Sequence, residues 1–255
     1  KVRFSKINHI FISHLHGDHF FGLPGLVATF RLLGRVNPLH IYGPKGIKEA
    51  VILLLKLGDS WTNYLLHFHE LTSKDSVVVF EDKKVRISTI PLDHRVYTNG
   101  FLFKEKEGQR KLEVQAVAAH GIDTCYFQNI KDGKDAPNAR GEMIPNAQLS
   151  SDPKPIKSYA FCSDTAYFPE IIPQIKGVTA LYHESTFLES ESDLATKTKH
   201  STAKQAAKIA NDAGVKSLIL GHYSTRYEGL KSFKEEAELH FKPVFLADDG
   251  WEFEF

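Results

Sequence analysis

The chain has 255 residues, of which 42% are hydrophobic and 25% are charged, as in an ordinary globular protein. A formal net charge of +1 excludes a global field that attracts polyanions, so nucleic-acid binding would depend on local basic groups. No apolar run is long enough to span a membrane, and two cysteines are too few for a disulfide scaffold. We therefore expect a cytoplasmic protein with no membrane partner.

Strands and helices are predicted to alternate along the chain without internal repeats, which favours an α/β architecture. The predicted strands are 10–12, 39–42, 65–71, 77–80, 85–91, 159–163, 178–182 and 217–221, and the predicted helices are 20–33, 46–57, 202–213 and 227–239. We place Ser201 at the N-terminal cap of the third helix. His67 and His69 are assigned to the solvated face of their strand, and His9 and His40 are interpreted as isolated histidines.

The hexapeptide His14-Leu15-His16-Gly17-Asp18-His19 follows the first predicted strand and is rich in metal-ligand types. Side chains two apart on an extended backbone point the same way, so His14 and His16 form one half of a metal site. Asp18 and His19 lie beyond Gly17, where the chain turns, and are better placed to hold a second ion. Imidazole and carboxylate ligands suit zinc first, with manganese or iron as realistic substitutes.

Three further side chains of metal-ligand type follow predicted strands, namely His94, Asp164 and His222. His94 alone does not decide between a ligand and a structural residue, and Asp164 could equally cap the segment after it. Together with the hexapeptide they make seven candidate ligands. If Asp164 bridges, each of two ions receives four protein groups, with room for a shared water.

Several motifs together resemble the ribonuclease Z family, the tRNA 3′-end-processing endonucleases of the metallo-β-lactamase superfamily. They are the hexapeptide, Pro91-Leu92-Asp93-His94, Ser163-Asp164-Thr165, His183-Glu184-Ser185-Thr186, His200-Ser201-Thr202 and Gly221-His222-Tyr223-Ser224-Thr225-Arg226. The hexapeptide alone identifies only the superfamily, which also contains lactamases, glyoxalases and lactonases. The narrower assignment depends on the motifs that contain Glu184, His200 and Arg226.

The resemblance implies a four-layer αββα sandwich and a homodimer. It implies that one ion is held by His14, His16, His94 and Asp164, and the other by Asp18, His19, Asp164 and His222. Family members have several strands before the hexapeptide, whereas this sequence has one. We therefore expect residues 1–255 to form a single domain of this type whose N-terminal strands are missing from the sequence.

Phosphodiester hydrolysis also needs a base and an acid. Asp18 would orient the attacking water or accept its proton, and a Glu184–His200 pair would protonate the leaving ribose oxygen. The alternative for the pair is a surface glutamate and a histidine that flanks a helix. The resemblance implies that Arg226 binds a phosphate, for which its guanidinium is suited, whereas an arginine at a helix start can also simply face water.

Residues 104–157 correspond to the position where bacterial family members carry an inserted arm that binds tRNA. This segment has nine Lys or Arg against eight Asp or Glu, which is a weak excess for binding backbone phosphates. A surface loop region or a dimer contact is the alternative. Lys131, Lys134 and Arg140 are the candidate phosphate contacts.

The sequence therefore predicts a binuclear zinc endoribonuclease that removes 3′ trailers from precursor tRNA. Two alternatives stay open at this point. One is a small-molecule hydrolase on the same scaffold that acts on phosphodiesters, sulfate esters or lactones. The other is a metal- or RNA-binding protein without turnover, which the presence of Asp18, Glu184 and His200 disfavours.

Overall fold

The structure, a computed structural model, describes residues 4–255. Its strands are β1 (His9–Phe11), β2 (Leu39–Pro44), β3 (Leu66–Leu71), β4 (Val78–Glu81), β5 (Val85–Pro91), β6 (Asn99–Glu105), β7 (Lys111–Leu112), β8 (Ala136–Pro137), β9 (Met143–Ile144), β10 (Ser150–Ser151), β11 (Ser158–Cys162), β12 (Ala180–Glu184), β13 (Leu218–Gly221) and β14 (Val244–Leu246). Its α-helices are α1 (Gly17–Phe20), α2 (Gly22–Leu32), α3 (Ile47–Leu57), α4 (Val114–Ala119), α5 (Phe127–Lys131), α6 (Asn146–Leu149), α7 (Ile172–Ile175), α8 (Ser192–Thr198), α9 (Ala203–Ala213) and α10 (Lys231–Glu238). Short 3₁₀ helices cover Phe4–Lys6, Thr124–Tyr126, Pro169–Ile171 and Glu189–Glu191.

The chain divides into two units. The first unit contains the described residues up to Phe80 together with Ile87–Phe103 and Ser158–Phe255, and the second contains Glu81–Arg86 and Lys104–Lys157. The second unit has its own small core, formed by Val117, Ile122, Ile130, Ala136 and Leu149. No helix among the described residues is both long enough and apolar enough to cross a membrane.

Parallel strands dominate the first unit. β1, β2 and β3 form a parallel sheet of three strands in that order. A sheet of seven strands has the order β14-β13-β12-β11-β6-β5-β4, and β11 to β14 within it are parallel. Because the carboxyl ends of parallel strands meet at one edge, the residues that follow β11, β12 and β13 come together there.

Helices cover one face of each sheet, and the two sheets pack on each other through their remaining faces. Leucine and valine side chains of α2 and α3 share a core with the three-stranded sheet. Across from them, the ring of Phe11 lies 5.2 Å from that of Phe101 and 5.5 Å from that of Phe103. On the far side, the small alanine side chains of α9 let that helix approach the seven-stranded sheet closely, and they are buried. This is the four-layer αββα sandwich that the sequence motifs imply, and the predicted fold class is confirmed.

The helix predicted over 20–33 is α2, and α1 is an additional short helix that begins at Gly17 within the hexapeptide. Two other local predictions are wrong. The cap of α9 is Thr202, whose hydroxyl accepts from the Gln205 amide, while Ser201 donates its hydroxyl proton to the Thr165 carbonyl. The helix expected over 227–239 begins only at Lys231, which leaves Arg226 in a loop.

The histidines on the three-stranded sheet are not simply solvated or isolated. Strand register places His9 beside His40 and His40 beside His67, and their rings stack at 5.0 and 4.7 Å. His69 lies 3.0 Å from His40 between ring nitrogens and stacks on Tyr42. The alternation of histidine and apolar residues in β3 is confirmed. The register that aligns His9, His40 and His67 across three strands cannot be inferred from the sequence of one strand.

Substitution of Gly100 in β6 tests how tightly the seven-stranded sheet is packed. A Cβ atom there would clash with the carbonyl oxygen of Phe161 and would also contact Cys162. We expect Gly100→Ala to lower the free energy of unfolding by about 1–3 kcal/mol, measured by urea titration. Gly25→Ala in α2 is the control, because a Cβ there meets nothing within 4 Å and should leave stability unchanged or raise it by up to about 1 kcal/mol. Equal stability of the two variants would contradict the prediction.

Candidate metal centre

Strand ends deliver the candidate ligands to one place. His14 follows β1 after two residues, His94 follows β5, Asp164 follows β11 and His222 directly follows β13. Asp164 and His222 adopt left-handed conformations, with φ of +54° and +60°. Such a backbone is disfavoured by about 1–2 kcal/mol per residue, and strain of this kind is typical of functional sites. Here it turns each side chain sharply from its strand toward the other ligands.

The first ligand group consists of His14, His16, His94 and Asp164. His16 Nδ1 lies 3.0 Å from His14 Nε2 and 3.4 Å from His94 Nε2. Asp164 Oδ2 lies 3.6 Å from His14 Nε2 and 3.8 Å from His94 Nε2. Metal–ligand bonds of about 2.0–2.1 Å separate neighbouring ligands of a tetrahedral ion by about 3.3 Å, so these four atoms fit one ion.

The second ligand group consists of Asp18, His19 and His222, and the other oxygen of Asp164 faces it. Asp164 Oδ1 lies 3.2 Å from His19 Nε2 and 3.3 Å from His222 Nε2, and Asp18 Oδ2 lies 3.3 Å from His19 Nε2. The buried His19 Nε2 has no hydrogen-bond partner despite these short distances. Its lone pair and the carboxylate oxygens therefore point toward a common position, as the ligands of an ion do.

Burial and neighbouring charges shift the pKa values of several candidate ligands. Burial lowers the pKa of His14 to about 3, with the adjacent His19 adding to the shift, and burial also lowers the pKa of His94. Burial alone would raise the pKa of Asp164, but the imidazoles of His19 and His222 hold it well below its usual range. Neutral His14 and His94 and an ionised Asp164 are in the states that coordinate divalent cations. Burial alone would lower the pKa of His19, but the adjacent carboxylates of Asp164 and Asp18 raise it, so a bound ion would displace a proton from this ring.

Hydrogen bonds behind the ligands set their tautomers. His94 Nδ1 donates to the carbonyl of Lys199 at 2.8 Å, which leaves Nε2 free to bind metal. His14 Nδ1 lies 3.1 Å from the Ser13 hydroxyl. Lys199 also extends its ammonium to Asp93 at 2.7 Å, although both side chains are more than one-third exposed, so this ion pair contributes at most about 1 kcal/mol.

Glu184 and His200 form the predicted pair beside the second ligand group. His200 Nδ1 donates to Glu184 Oε1 at 2.8 Å, and the Glu184 side chain is fully buried. Burial alone would lower the pKa of His200, but the hydrogen bond to Glu184 and its negative charge raise it above its usual value. The structure thus favours a protonated imidazole whose Nε2 is free to donate, with Asp164 and His222 close by.

The predicted phosphate contacts lie in different places. Arg226 belongs to the first unit, where its guanidinium lies 5.1 Å from the centre of the Phe187 ring and 3.4 Å from Glu191 Oε2. It is therefore paired with a carboxylate and a ring rather than simply facing water. Lys131, Lys134 and Arg140 are in the second unit, at the end of α5 and in the loops on either side of β8.

Comparison with known proteins assigns this chain to a family. The model of the metallo-beta-lactamase superfamily matches residues 5–116. A ribonuclease Z of Bacteroides thetaiotaomicron is 44% identical over 250 residues, which are 98% of this chain and 79% of that protein. The chain belongs to the ribonuclease Z family. A second family member, from Porphyromonas gingivalis, is 43% identical over 249 residues, covering 98% of this chain and 82% of that protein.

The crystal structure of human tRNase Z, short form, has the same fold as this ribonuclease Z family member. Its TM-score is 0.67 at 24% identity, and the alignment covers 98% of this chain and 79% of that chain. The family predicted from the motifs is confirmed.

Sequence reasoning missed the residues that hold the ligands in place. Lys199 accepts a hydrogen bond from His94 through its backbone carbonyl, and a pattern of side chains in the sequence cannot predict a contact of the backbone. Asp93 and Thr186 lie inside the motifs that identify the family, yet nothing in their spacing indicates which atoms they contact. The left-handed conformation of Lys199, with φ of +61°, has no sequence signature either, because glycine is the usual residue there.

Two substitutions at Lys199 separate the role of its carbonyl from that of its ammonium. Lys199→Gly removes the ion pair but suits a φ of +61°, so we expect wild-type metal affinity. Lys199→Val also removes the ion pair, but a β-branched residue disfavours positive φ and would displace the carbonyl from His94. Zinc affinity, measured by competition with a chromophoric chelator, should fall about 10-fold for Lys199→Val. Equal affinities of the two variants would exclude this role for the carbonyl.

Proposed function

We propose that this member of the ribonuclease Z family is a binuclear zinc endoribonuclease that removes 3′ trailers from precursor tRNA. The observation that carries the proposal is the Asp164 carboxylate, whose two oxygens face two separate ligand groups beside the Glu184–His200 pair. The relatives named ribonuclease Z support hydrolase activity of the nuclease type on this scaffold. A small-molecule hydrolase is not favoured by these relatives.

The first ion would be held by His14, His16, His94 and Asp164, and the second by Asp18, His19, His222 and Asp164. Zinc is favoured by the imidazole and carboxylate donors, and Mn²⁺ or Fe²⁺ would also fit them. When bound, such ions stabilise the charge on phosphoryl oxygens and lower the pKa of water toward neutrality.

The protein's own residues would move the protons. Asp18, a member of the second group whose side chain is 70% exposed, would accept a proton from the attacking water. As the new bond between phosphorus and water oxygen forms, the bond to the ribose 3′-oxygen breaks. His200 would give its Nε2 proton to that oxygen, while Glu184 keeps the ring oriented through Nδ1. The products are a tRNA with a 3′-hydroxyl and a trailer with a 5′-phosphate.

His200→Ala tests the acid. On labelled precursor tRNA we expect kcat to fall about 10²–10³-fold with unchanged metal content, because the alkoxide leaving group needs a proton. On bis(p-nitrophenyl) phosphate the loss should be much smaller, since p-nitrophenolate leaves without protonation. His94→Ala is the contrasting variant and should lose metal and both activities. Full activity of His200→Ala on tRNA would rule out the assignment.

Chelator sensitivity separates the proposed function from its alternatives. A cut next to the acceptor stem that the chelator abolishes supports the endonuclease. Turnover of bis(p-nitrophenyl) phosphate without cleavage of tRNA would instead favour a small-molecule hydrolase. Metal binding with neither activity would favour a protein without turnover.

The second unit is the proposed tRNA-binding arm. Lys131, Lys134 and Arg140 form no ion pair with a carboxylate within residues 4–255, unlike Arg110, which is paired with Asp152. Lys131 also lines a cavity of about 580 Å³ together with Arg110 and Lys154, although three acidic residues line the same cavity. Unpaired cations of this kind are free to contact backbone phosphates, even though the unit as a whole is only weakly basic.

Charge reversal tests the arm more cleanly than deletion, because removing 112–141 would destroy the core of the second unit. The triple variant Lys131→Glu, Lys134→Glu and Arg140→Glu should raise KM for precursor tRNA about 10-fold or more and weaken its dependence on salt. Turnover of bis(p-nitrophenyl) phosphate should not change. Lys56→Glu on the exposed face of α3 is the control and should leave both KM values unaltered. An unchanged KM for tRNA in the triple variant would contradict the proposal.

The homodimer implied by the family resemblance and the cytoplasmic location expected from the composition remain predictions. Light scattering of the purified protein measures the first, and fractionation of cells measures the second.

A further inference from the structure

Thr186 lies between a candidate metal ligand and the candidate acid pair. Its Oγ1 lies 2.8 Å from His222 Nδ1 and 2.8 Å from Glu184 Oε2. His200 Nδ1 is 3.2 Å from the same hydroxyl and 2.8 Å from Glu184 Oε1. Thr186 is 7% exposed, so water does not compete freely for these contacts.

The chemistry of the groups fixes the direction of each hydrogen bond. An ionised carboxylate only accepts, so the single hydroxyl proton of Thr186 goes to Glu184. The hydroxyl oxygen must then accept from His222, which places the His222 proton on Nδ1. His222 Nε2 is left without a proton, and this is the atom that faces Asp164 Oδ1 at 3.3 Å.

We propose that Thr186 is a positioning residue that couples the ligand His222 to the Glu184–His200 pair through one hydroxyl group. The inference rests on the proposed function, since it assigns Thr186 a role in the same site. One hydroxyl thereby sets both the tautomer of a metal ligand and the orientation of the carboxylate that holds the acid.

The surroundings of Glu184 show what the hydroxyl adds. Its Oε1 accepts from His200 Nδ1 and from the Thr165 amide at 3.1 Å, and its Oε2 accepts from the amide and hydroxyl of Thr186 at 2.9 and 2.8 Å. Loss of the hydroxyl leaves the carboxylate with three donors, so it stays hydrogen-bonded but can rotate. His222 loses its acceptor altogether, which frees its ring to change tautomer.

A packing role for Thr186 is the competing explanation, and the choice of variants separates the two. Thr186→Val keeps the shape and removes the hydroxyl, whereas Thr186→Ser keeps the hydroxyl and removes a methyl group. Thr89→Val is the matched control, because Thr89 is 1% exposed and its hydroxyl oxygen accepts from the Val77 amide at 2.9 Å, away from the site.

Two measurements do not depend on turnover. Long-range ¹H–¹⁵N spectra of the metal-free protein should show His222 as the Nδ1–H tautomer in the wild type and in Thr186→Ser, and a mixture of tautomers in Thr186→Val. Competition with a chromophoric chelator should show the weaker of two zinc ions bound about 10- to 100-fold less tightly by Thr186→Val, with Thr186→Ser and Thr89→Val close to wild type.

A double-mutant cycle supplies the third measurement. On precursor tRNA, Thr186→Val should lower kcat, and adding Thr186→Val to His200→Ala should lower it by a smaller factor, because the coupling to the acid is already lost.

Three results would overturn the inference: wild-type zinc affinity and tautomer in Thr186→Val, failure of Thr186→Ser to restore them, or an equal loss in Thr89→Val. If the proposed function is wrong, the wild-type protein does not cut precursor tRNA. The role of Thr186 is then still decided by the tautomer of His222 and by the zinc affinity.

Discussion

The buried carboxylate of Asp164 has imidazole rings facing both of its oxygens, and the arrangement of the site in the first unit depends on it. Asp164 is 3% exposed, and an ionised carboxylate in such a place is expensive unless charges or hydrogen bonds surround it. Imidazoles face both of its oxygens, and Ser163 donates a hydroxyl proton to Oδ1 at 2.8 Å. The imidazoles come from the ends of three different strands and from α1. Stability of the folded site and the arrangement of two ligand groups are therefore consequences of the same contacts.

Much of this site was accessible from the sequence, because its side chains follow strands. Apolar residues precede His14, Asp164 and His222 in the sequence, and such a run predicts a buried strand that ends at the polar residue. The carboxyl ends of parallel strands lie at the same edge of a sheet. The structure brings all seven predicted ligands together where strands of both sheets end, and it places Glu184 and His200 in contact. Their roles in metal binding and proton transfer stay predictions that the variants test.

Other features could not be inferred, and the reasons are physical. Arg226 was expected at the start of a helix over 227–239, but α10 begins only at Lys231, and Arg226 lies in the preceding loop, where it pairs with Glu191. The stacked histidines of the three-stranded sheet depend on register between strands far apart in the chain. The Lys199 carbonyl and the Thr186 hydroxyl act through contacts that no periodicity encodes.

Strand register also explains why the candidate acid pair and the second ligand group lie together. Glu184 of β12 pairs with Gly221 of β13, so the chain beyond each strand leaves the sheet at the same level, and Thr186 meets His222 there. A slip of one residue would turn Glu184 to the opposite face and separate it from His200. Gly221 secures this register from the other side, because a Cβ atom at that position would clash with the ring of Tyr182 on β12. The packing of two buried strands and the geometry of the Glu184–His200 pair are therefore one property of this fold, so substitutions in the sheet core would alter that geometry without touching a candidate ligand.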